Sequence, residues 1–454
     1  MTSTCDIWVI ASDHERLMRH LFPGDRDEHG AVMSAGVVET SRGLRLLING
    51  VIPAVDGKDY VAGEYGYRAL KPTFIHRQIT RCRDQRLAYI AVHNHNCNDA
   101  VGFSRVDIAS HERGYPALRD IGRGVPVGAL VYGRRAVEAD IWLADGRRLS
   151  LGEYRILGST VGRLYARPRA RVCAAAEHDR QVRMFGAAGQ ALLAAAKVGV
   201  VGLGGVGSLV VEHLARLGVV QFVIVDSDLI EDTNLSRVVG ATRDDLAVPM
   251  LKTEIAARHI REVHPRASIT AISDDVAKAS VSAALRDCDA IFLAADSMRA
   301  RLVVNAIAHQ YFVPVIQLGA KVRSDAAGSL TEAMSVIRHV RPGNACLWCN
   351  GWIDTTQLAL EAKSDQERKD QAYGTDEPNP SVITLNAVAA AHGVNDFLFD
   401  FLNLRPADDV HAYEHHRFVA RRVDRVVPRR DPACRECVRR LGMGDAIALP
   451  ALQG

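Results

Sequence analysis

The chain has 454 residues and a formal net charge of +3, with 56 basic and 53 acidic residues. This length predicts two or three domains, and an apolar content of 48% is enough for more than one hydrophobic core. The near balance of charges gives no indication of a nucleic-acid or membrane-surface partner. We find neither a signal peptide nor a run of about 18 apolar residues, so the sequence predicts a cytoplasmic protein without a transmembrane helix.

Residues 1–158 are predicted to form an α+β domain, because short apolar strands dominate this part of the chain. A helix is expected around residues 14–21, and another is expected after His111. The predicted strands are residues 31–38, 44–52, 87–92, 127–132 and 137–143.

Residues 159–176 are basic, contain a proline and show no clean periodicity, which predicts a linker. From residue 177 onward, strand and helix patterns alternate, which predicts an α/β domain with a mostly parallel, Rossmann-like sheet. The predicted strands of this second domain, 177–454, are 197–201, 220–225, 290–294 and 313–317, and the predicted helices are 206–217, 251–263 and 300–311.

A glycine-rich sequence follows the predicted strand 197–201 and opens the next helix. Glycines let the backbone turn tightly and approach phosphates, and the helix N-terminus adds free N–H groups and a positive dipole. Asp226 ends the following strand, about 20 residues on, where a carboxylate can bond a ribose hydroxyl. Taken alone, this pattern also fits an NAD oxidoreductase. The glycines are Gly202, Gly204, Gly205 and Gly207.

The residues from Asp226 to Arg237 read D-S-D-L-I-E-D-T-N-L-S-R, and Lys252 and Asp296 follow further along the chain. This set resembles the ThiF/MoeB/ubiquitin-activating superfamily over about residues 177–454. The resemblance implies a Rossmann-like adenylation domain that uses ATP and Mg²⁺, rather than NAD, to adenylate the C-terminal glycine of another protein.

The resemblance also implies roles for single residues. The four glycines would cradle phosphates, Asp226 would hold the ribose, and Asp228 would belong to the same nucleotide site. Asp296 would hold Mg²⁺, and Arg180 would act as an arginine finger that reaches across a homodimer interface. The superfamily usually has Asn directly after the Mg²⁺ ligand, where this chain has Ser297. The residues that would bind phosphate oxygens as pyrophosphate leaves are Asn234, Arg237 and Lys252.

Two Cys-x-x-Cys pairs, Cys346 with Cys349 and Cys434 with Cys437, predict a four-thiolate zinc site. A closed shell of four thiolates leaves no open position for a substrate, so the predicted role is structural. A redox-active pair is the alternative. The second pair sits where the resembled superfamily ties its C-terminal strands to the body of the domain.

Ubiquitin-activating enzymes carry a thioester-forming cysteine in a crossover loop after the first zinc pair. The matching residues 350–380 contain no cysteine here, and Tyr373 is the residue that draws attention. Cys173, in the predicted linker, is the remaining candidate. The sequence therefore favours transfer of the adenylate directly to an external nucleophile, such as a sulfur donor or the cysteine of a conjugating-enzyme-like partner.

A His-x-His motif, His93 and His95, follows a predicted apolar strand, and Asp107 lies near the start of a following helix. Two imidazoles and one carboxylate can hold zinc with water as the fourth ligand, and zinc lowers the pKa of that water. Glu28 could take its proton, and the Ser104 hydroxyl could stabilise an oxyanion. A lone His-x-His can also be structural.

This E…H-x-H…S-x-x-D set resembles the JAMM/MPN zinc metallopeptidases over about the first 150 residues. The resemblance implies that Glu28 is the general base, that Ser104 is the oxyanion residue, and that His93, His95 and Asp107 are zinc ligands. The interval from His95 to Ser104 is one residue longer than the commonest pattern, and the usual His-Ser-His-Pro reads His-Asn-His-Asn here.

The two halves together resemble fused JAMM–ThiF proteins of bacterial ubiquitin-like conjugation operons, some of them linked to antiphage defence. The resemblance implies zinc-dependent processing and ATP-dependent adenylation of the C-terminus of a ubiquitin-like protein. One alternative is a sulfur-carrier-protein activating enzyme for cofactor or cysteine biosynthesis. Another is a regulatory module whose sites are silent. The implied partners are a ubiquitin-like or sulfur-carrier protein, a conjugating-enzyme-like protein and a second copy of the chain.

Overall fold

The chain divides into two compact units. The computed structural model describes residues 4–61, 68–169, 175–325, 327–361, 380–406 and 413–452. The first unit comprises Met1–Ala170, Gln310–Phe312 and Arg440–Ala448, and the second comprises Arg171–His309, Val313–Arg439 and Leu449–Gly454. Two short pieces from later in the sequence therefore belong to the first unit, whereas the prediction placed them in the second domain, 177–454.

The described part of the first unit contains eight strands and three helices. The strands are β1 (Thr4–Ile10), β2 (Gly30–Thr40), β3 (Gly43–Pro53), β4 (Ala88–Asn94), β5 (Val127–Tyr132), β6 (Val137–Trp142), β7 (Arg148–Leu157) and β8 (Val161–Leu164). The helices are α1 (Ala11–Leu21), α2 (Pro72–Asp84) and α3 (Arg105–Gly122).

The strands of the first unit form one mixed sheet in the order β1-β3-β2-β4-β5-β6-β7-β8. A further parallel pairing between β1 and β7 closes this sheet on itself. Consecutive residues of a strand point to opposite faces, so Met33 and Ile90 join one hydrophobic cluster while Val32 and Tyr89 join another. Both faces of the central strands are therefore buried, which explains why they read as nearly continuous apolar runs.

The five strands predicted for this part of the chain are present, with ends that differ by a few residues. The second predicted helix starts earlier than expected: α3 begins at Arg105, so His111 lies inside it. Strand β8 lies within the predicted linker 159–176 and pairs antiparallel with β7. Because β8 is stabilised by its neighbouring strand, its own residues show little strand pattern in the sequence. Residues 170–174 of the predicted linker, including Cys173, lie outside the described residues.

The described part of the second unit contains eight strands and eight α-helices. The strands are β9 (Lys197–Val201), β10 (Gln221–Val225), β11 (Ser268–Ile272), β12 (Ala290–Leu293), β13 (Val315–Ser324), β14 (Leu330–Val340), β15 (Tyr413–Arg417) and β16 (Arg422–Val426). The helices are α4 (Asp179–Ala195), α5 (Gly205–Arg216), α6 (Asp244–Ala247), α7 (Lys252–Val263), α8 (Ala279–Leu285), α9 (Met298–Gln310), α10 (Thr355–Glu361) and α11 (Ile383–Phe401).

The second sheet has the order β11-β10-β9-β12-β13-β14-β15-β16. The first five strands in this order, from β11 through β9 to β13, are parallel to one another. Strands β14, β15 and β16 extend the sheet with antiparallel pairing. From β9 the chain continues to β10 and β11 on one side of β9, and then crosses to β12 and β13 on the other side. Beyond the carboxyl ends of β9 and β12 there is consequently a crevice, the usual ligand position in an open α/β sheet.

The predicted Rossmann-like α/β architecture of the second unit is confirmed. Strand β9 has the predicted bounds, whereas β13 continues to Ser324 because it pairs antiparallel with β14 along its whole length. The core lies between the sheet and helices α5 and α11, where Val210, Leu214, Ala390 and Phe397 are buried. No helix in the described part of the chain is long and apolar enough to cross a membrane.

Candidate functional sites

In the first unit, strand β4 and helix α3 hold the predicted zinc ligands. His93 lies in β4, next to its last residue, and the backbone N–H of His95 donates to Tyr132 O at 2.8 Å, which continues the pairing with β5. Asp107 lies in the first turn of α3. A buried strand with paired neighbours and the start of a helix therefore fix the positions of all three predicted ligands.

The three predicted ligands lie close enough to share one ion. Nε2 of His93 is 3.5 Å from Asp107 Oδ1, and Nε2 of His95 is 3.4 Å from Asp107 Oδ2. His93 Nε2 is buried and has no hydrogen-bond partner among the described residues. An unpartnered imidazole nitrogen facing a buried carboxylate fits a zinc ligand set of two histidines and one acid.

Asp107 is oriented by a capping box at the start of α3. Its backbone N–H donates to Ser104 Oγ at 3.2 Å, and its Oδ2 accepts the Ser104 backbone N–H at 2.7 Å. Burial raises the pKa of Asp107, but the neighbouring His93, His95 and Ser104 outweigh burial and hold this pKa well below its usual range. The carboxylate is therefore ionised, as a metal ligand must be.

Glu28 lies just before β2, with its Oε1 3.8 Å from His95 Nε2. Burial raises the pKa of Glu28, and the adjacent histidines His93 and His95 only partly oppose this. The next residue is anchored to β4, because the backbone N–H of His29 donates to the buried Asn94 Oδ1 at 2.6 Å. The structure thus brings together Glu28 and the predicted ligands.

Sequence reasoning did not identify Asn94, which stands where the resembled pattern has Ser. It is 1% exposed, and its side chain holds the segment that carries Glu28. The available signal was a polar residue between two histidines at the end of an apolar strand. A buried amide at such a place needs a hydrogen-bond partner, although the sequence alone does not show which one.

In the second unit, the glycine loop between β9 and α5 packs against its own backbone and against the backbone that follows β12. Gly202 has a φ of 87°, and a Cβ there would lie 2.7 Å from Ala295 N. A Cβ at Gly207 would lie 1.8 Å from Gly202 O, whereas a Cβ at Gly204 would have no heavy atom within 4 Å. The loop fold requires glycine at 202 and 207, and Gly204 borders open space at the helix N-terminus.

Gly205 lies against two polar side chains. A Cβ there would meet Asn386 Nδ2 at 2.2 Å and Arg237 Cδ at 3.3 Å. Asn386 lies in α11, is 1% exposed and donates to Ser381 Oγ at 3.1 Å. The structure therefore brings the predicted Arg237 to the loop and adds Asn386, which sequence reasoning missed because it stands 181 residues away from Gly205.

The carboxylate of Asp226 is bonded to the glycine loop itself. Its Oδ2 accepts the Leu203 backbone N–H at 2.6 Å, and its Oδ1 accepts that of Asp228 at 2.9 Å. Burial raises the pKa of Asp226, and these two backbone hydrogen bonds oppose the rise. Lys252 Nζ lies 2.8 Å from Asp228 Oδ2. Each Asp226 oxygen keeps a lone pair that a ribose hydroxyl can use.

Asn234 and Arg237 lie on a short turn after β10. Arg237 Nη1 donates to Thr233 O at 2.7 Å, and Asn234 Nδ2 donates to Thr233 Oγ1 at 3.3 Å. Asn234 Oδ1 is buried without a hydrogen-bond partner in the described part of the chain. The turn thus presents the Arg237 guanidinium, and an Asn234 amide oxygen without a described partner, on the side of the glycine loop where Gly205 meets Arg237.

Asp296 is exposed and follows β12, directly after the two residues that pack on Gly202. The next helix, α9, is capped twice at its N-terminus. Ser297 Oγ accepts the Ala300 backbone N–H at 3.1 Å, and the Glu361 carboxylate accepts the first two N–H groups of α9 at 2.8 and 2.9 Å. Ser297 thus acts as a helix cap, and Glu361 is a third residue that sequence reasoning missed, after Asn94 and Asn386.

Arg180 follows closely on His178, which lies beside Gly218, just past the end of α5 that is opposite the glycine loop. It is exposed in the first turn of α4 and makes no hydrogen bond or ion pair with a described residue. Residues 362–379 of the predicted crossover loop, including Tyr373, lie outside the described residues.

The four predicted cysteines of the second unit converge. Sγ of Cys346 is 3.4 Å from that of Cys349 and 3.8 Å from that of Cys434, and Sγ of Cys349 is 3.6 Å from that of Cys437. Tetrahedral zinc with bonds of about 2.3 Å places its sulfur ligands about 3.8 Å apart. The cysteine cluster therefore has the dimensions of a four-thiolate zinc site, formed by two pairs from distant parts of the chain.

Comparison with known proteins agrees with the glycine-loop geometry. Residues 178–435 match the ThiF family. The chain belongs to the ThiF family. The family match begins at residue 178, so it does not include the histidine and carboxylate cluster of the first unit.

Several ThiF relatives are similar over part of their length. The SAMP-activating enzyme E1 of Haloferax volcanii is 33% identical over 29% of this chain and 48% of its own. The sulfur carrier protein ThiS adenylyltransferase of Bacillus subtilis is 33% identical over 36% of this chain and 46% of its own. The chain spans about half the length of these curated relatives. A crystal structure of E. coli MccB with succinimide aligns with a TM-score of 0.47 and 21% identity over 57% of this chain and 73% of that chain.

Two glycine substitutions should differ in how far they lower stability. Gly207→Ala should lower the free energy of unfolding by about 1–3 kcal/mol, because its methyl group overlaps Gly202 O. Gly204→Ala should cost clearly less, because its methyl group enters open space. Urea denaturation of both variants measures the difference. Equal destabilisation by the two substitutions would contradict the loop packing described above.

Cys349→Ser should remove one zinc ion per chain and lower the free energy of unfolding by roughly 2–4 kcal/mol, because three thiolates hold the ion less tightly. Zinc content by mass spectrometry and thermal unfolding measure both effects. Cys97→Ser is the matched control, since Cys97 is a half-buried free cysteine that should leave zinc content unchanged. Zinc content that stays at the wild-type level in Cys349→Ser would argue against the four-thiolate site.

Proposed function

We propose that the chain processes the C-terminus of a ubiquitin-like or sulfur-carrier protein by zinc-dependent cleavage and adenylates that C-terminus with ATP. Membership of the ThiF family supports the adenylation, as do relatives named as an activating enzyme and an adenylyltransferase. The cleavage is carried by one observation, the convergence of Glu28 with His93, His95 and Asp107. One chain would thus hold two chemistries for the same protein tail.

In the adenylation step, a carboxylate oxygen of the partner protein bonds to the α-phosphorus of ATP while the bond to pyrophosphate breaks. The N–H groups at the start of α5, beside the open space at Gly204, would face the phosphates. Asp226 would accept a ribose hydroxyl. Lys252 and Arg237 would balance the negative charge that moves onto pyrophosphate. Magnesium, when bound at Asp296, would supply further charge neutralisation.

In the cleavage step, His93, His95 and Asp107 would hold zinc, which when bound supplies Lewis acidity toward water and the scissile carbonyl. Glu28 would accept a proton from the attacking water and return it to the leaving amine. Its raised pKa suits a group that must both take up and release a proton. The Ser104 hydroxyl, whose oxygen already accepts from Asp107 N, keeps its own proton free to donate to an oxyanion.

The adenylate would pass to a nucleophile outside the chain. Residues 350–380 contain no cysteine, and Cys5, Cys82 and Cys288 are buried. Burial raises the thiol pKa of Cys5 and Cys82 to about 12, which removes their nucleophilic thiolate at neutral pH. A sulfur donor would make the chain a sulfur-carrier activating enzyme, whereas the cysteine of a conjugating-enzyme-like protein would place it in a conjugation pathway.

A second copy of the chain would complete the adenylation site. Arg180 is exposed and free of hydrogen bonds to described residues, so its guanidinium is available to a neighbouring subunit. As an arginine finger it would stabilise negative charge on the phosphates of the partner subunit's nucleotide.

Glu28→Gln should slow cleavage of a ubiquitin-like protein that carries a C-terminal extension by about 10²–10⁴-fold, because the amide cannot accept the proton. Intact-mass spectrometry without ATP measures the shortened product. Glu15→Gln, at an exposed position of α1, is the control and should cleave at the wild-type rate. Equal rates for the Glu28 variant and the wild type would exclude Glu28 as the base.

Asp296→Asn should reduce ATP–pyrophosphate exchange in the presence of the same partner by about a hundredfold or more, because a ligand of Mg²⁺ is lost. Folding should be unaffected, since Asp296 is exposed. Asp120→Asn, an exposed carboxylate on α3, is the control. Wild-type exchange in the Asp296 variant would reject the proposed role of this carboxylate, whereas the absence of exchange in the wild type would reject this partner as the substrate.

A further inference from the structure

A third group of potential metal ligands lies in the second unit, apart from the cysteines and the glycine loop. His392 lies in α11, and Glu414 and His416 lie two residues apart in β15. Residues two apart in a strand share one face of the sheet. The helix thus places one imidazole, and the strand places one carboxylate and one imidazole, around a common point.

The distances in this His–Glu–His cluster suit a shared ion. Glu414 Oε2 lies 3.5 Å from His392 Nε2 and 3.4 Å from His416 Nε2, and the two imidazole centroids are 4.9 Å apart. A tetrahedral ion with bonds of about 2.0–2.1 Å places neighbouring nitrogen and oxygen ligands about 3.3–3.5 Å apart. An octahedral ion with similar bonds would need about 3.0 Å. The cluster therefore has a tetrahedral spacing.

The fully buried histidine–carboxylate pairs of this protein are closer than the groups of this cluster. The buried pairs His111–Asp140 and His339–Asp396 are hydrogen bonded at 2.8 Å. In the His–Glu–His cluster the separations are 0.6–0.7 Å longer, and His416 Nε2 is buried without a hydrogen-bond partner in the described part of the chain. Two imidazole nitrogens at this distance from one carboxylate oxygen leave room for an ion that all three groups contact.

The Glu414 carboxylate is held in place from the outside. Its other oxygen, Oε1, lies 3.0 Å from Nε of Arg425, which is its direct cross-strand neighbour in β16. This pair turns Oε2 toward the two histidines. Hydrogen bonds that orient a ligating carboxylate are typical of metal sites, where they fix the geometry of the ligand.

We propose that His392, Glu414 and His416 bind a divalent first-row transition metal ion, with zinc the best match to the ligand types and spacing. Their side chains are 16–30% exposed, so water can reach the ion and take the fourth position. The ion links α11 to β15, a strand near the edge of the sheet. This site is independent of the proposed enzymatic activities.

The test is zinc stoichiometry of the full chain, measured by equilibrium dialysis against zinc and elemental analysis. Glu414→Gln and His416→Ala should each bind one zinc ion fewer than the wild type. His415→Ala is the matched control: His415 lies between the two strand ligands but on the opposite face, where its ring is 5.9 Å from that of Trp352. It should bind the wild-type number of ions.

The proposed zinc site of the first unit can be distinguished from this one, because ion losses at independent sites add. His95→Ala should remove a different ion, so the double variant with His416→Ala should lose one ion more than either single variant. Amide hydrogen exchange is a second readout: chelation also removes zinc from the cysteine cluster, so exchange in β15 should speed up in both proteins, but more in the wild type than in Glu414→Gln. Wild-type zinc content in both Glu414→Gln and His416→Ala, together with an equal effect of chelation on β15 exchange in the wild type and in Glu414→Gln, would overturn the proposal.

Discussion

Both the histidine cluster of the first unit and the glycine loop depend on one constraint. A buried strand forms its backbone hydrogen bonds within its sheet, so polar functional groups lie where the strand ends. In the first unit, β4 ends at Asn94, between His93 and His95. In the second unit, β9 ends at Val201, where the glycine loop begins. A helix N-terminus then supplies the remaining part, either as the capped carboxylate of α3 or as the free N–H groups of α5.

Two kinds of histidine and carboxylate arrangement in this protein differ in separation. Where the pair serves the fold, as in His111 with Asp140, the groups share a proton at 2.8 Å. Where histidines surround one carboxylate, as at Asp107 and at Glu414, the distances are 3.4–3.5 Å. At the longer distance, the imidazole nitrogens and carboxylate oxygens do not form hydrogen bonds with one another. In a partly buried environment this costs free energy unless another charge is present.

Much of the second unit could be predicted from local pattern. Strand β9 has its predicted bounds, and helices α5, α7 and α9 differ from prediction by one or two residues, because apolar periodicity records the face that each element buries. The first unit was harder to predict. Strand β8 is stabilised by pairing with β7 rather than by its own composition, so it was predicted as linker. The grouping of residues 310–312 and 440–448 with the first unit had no local signal.

The sequence by itself determined the chemical groups and their short-range order: the glycines before α5, the two Cys-x-x-Cys pairs and the His-x-His motif. Only the tertiary structure decided which distant groups meet. Glu28 lies beside His95 because β2 pairs with β4, and Cys346 meets Cys434 across 88 positions of sequence. His392 meets β15 in the same way. The physical reason is that strand order and helix packing are set by the burial of whole faces, and no short stretch of sequence contains that information.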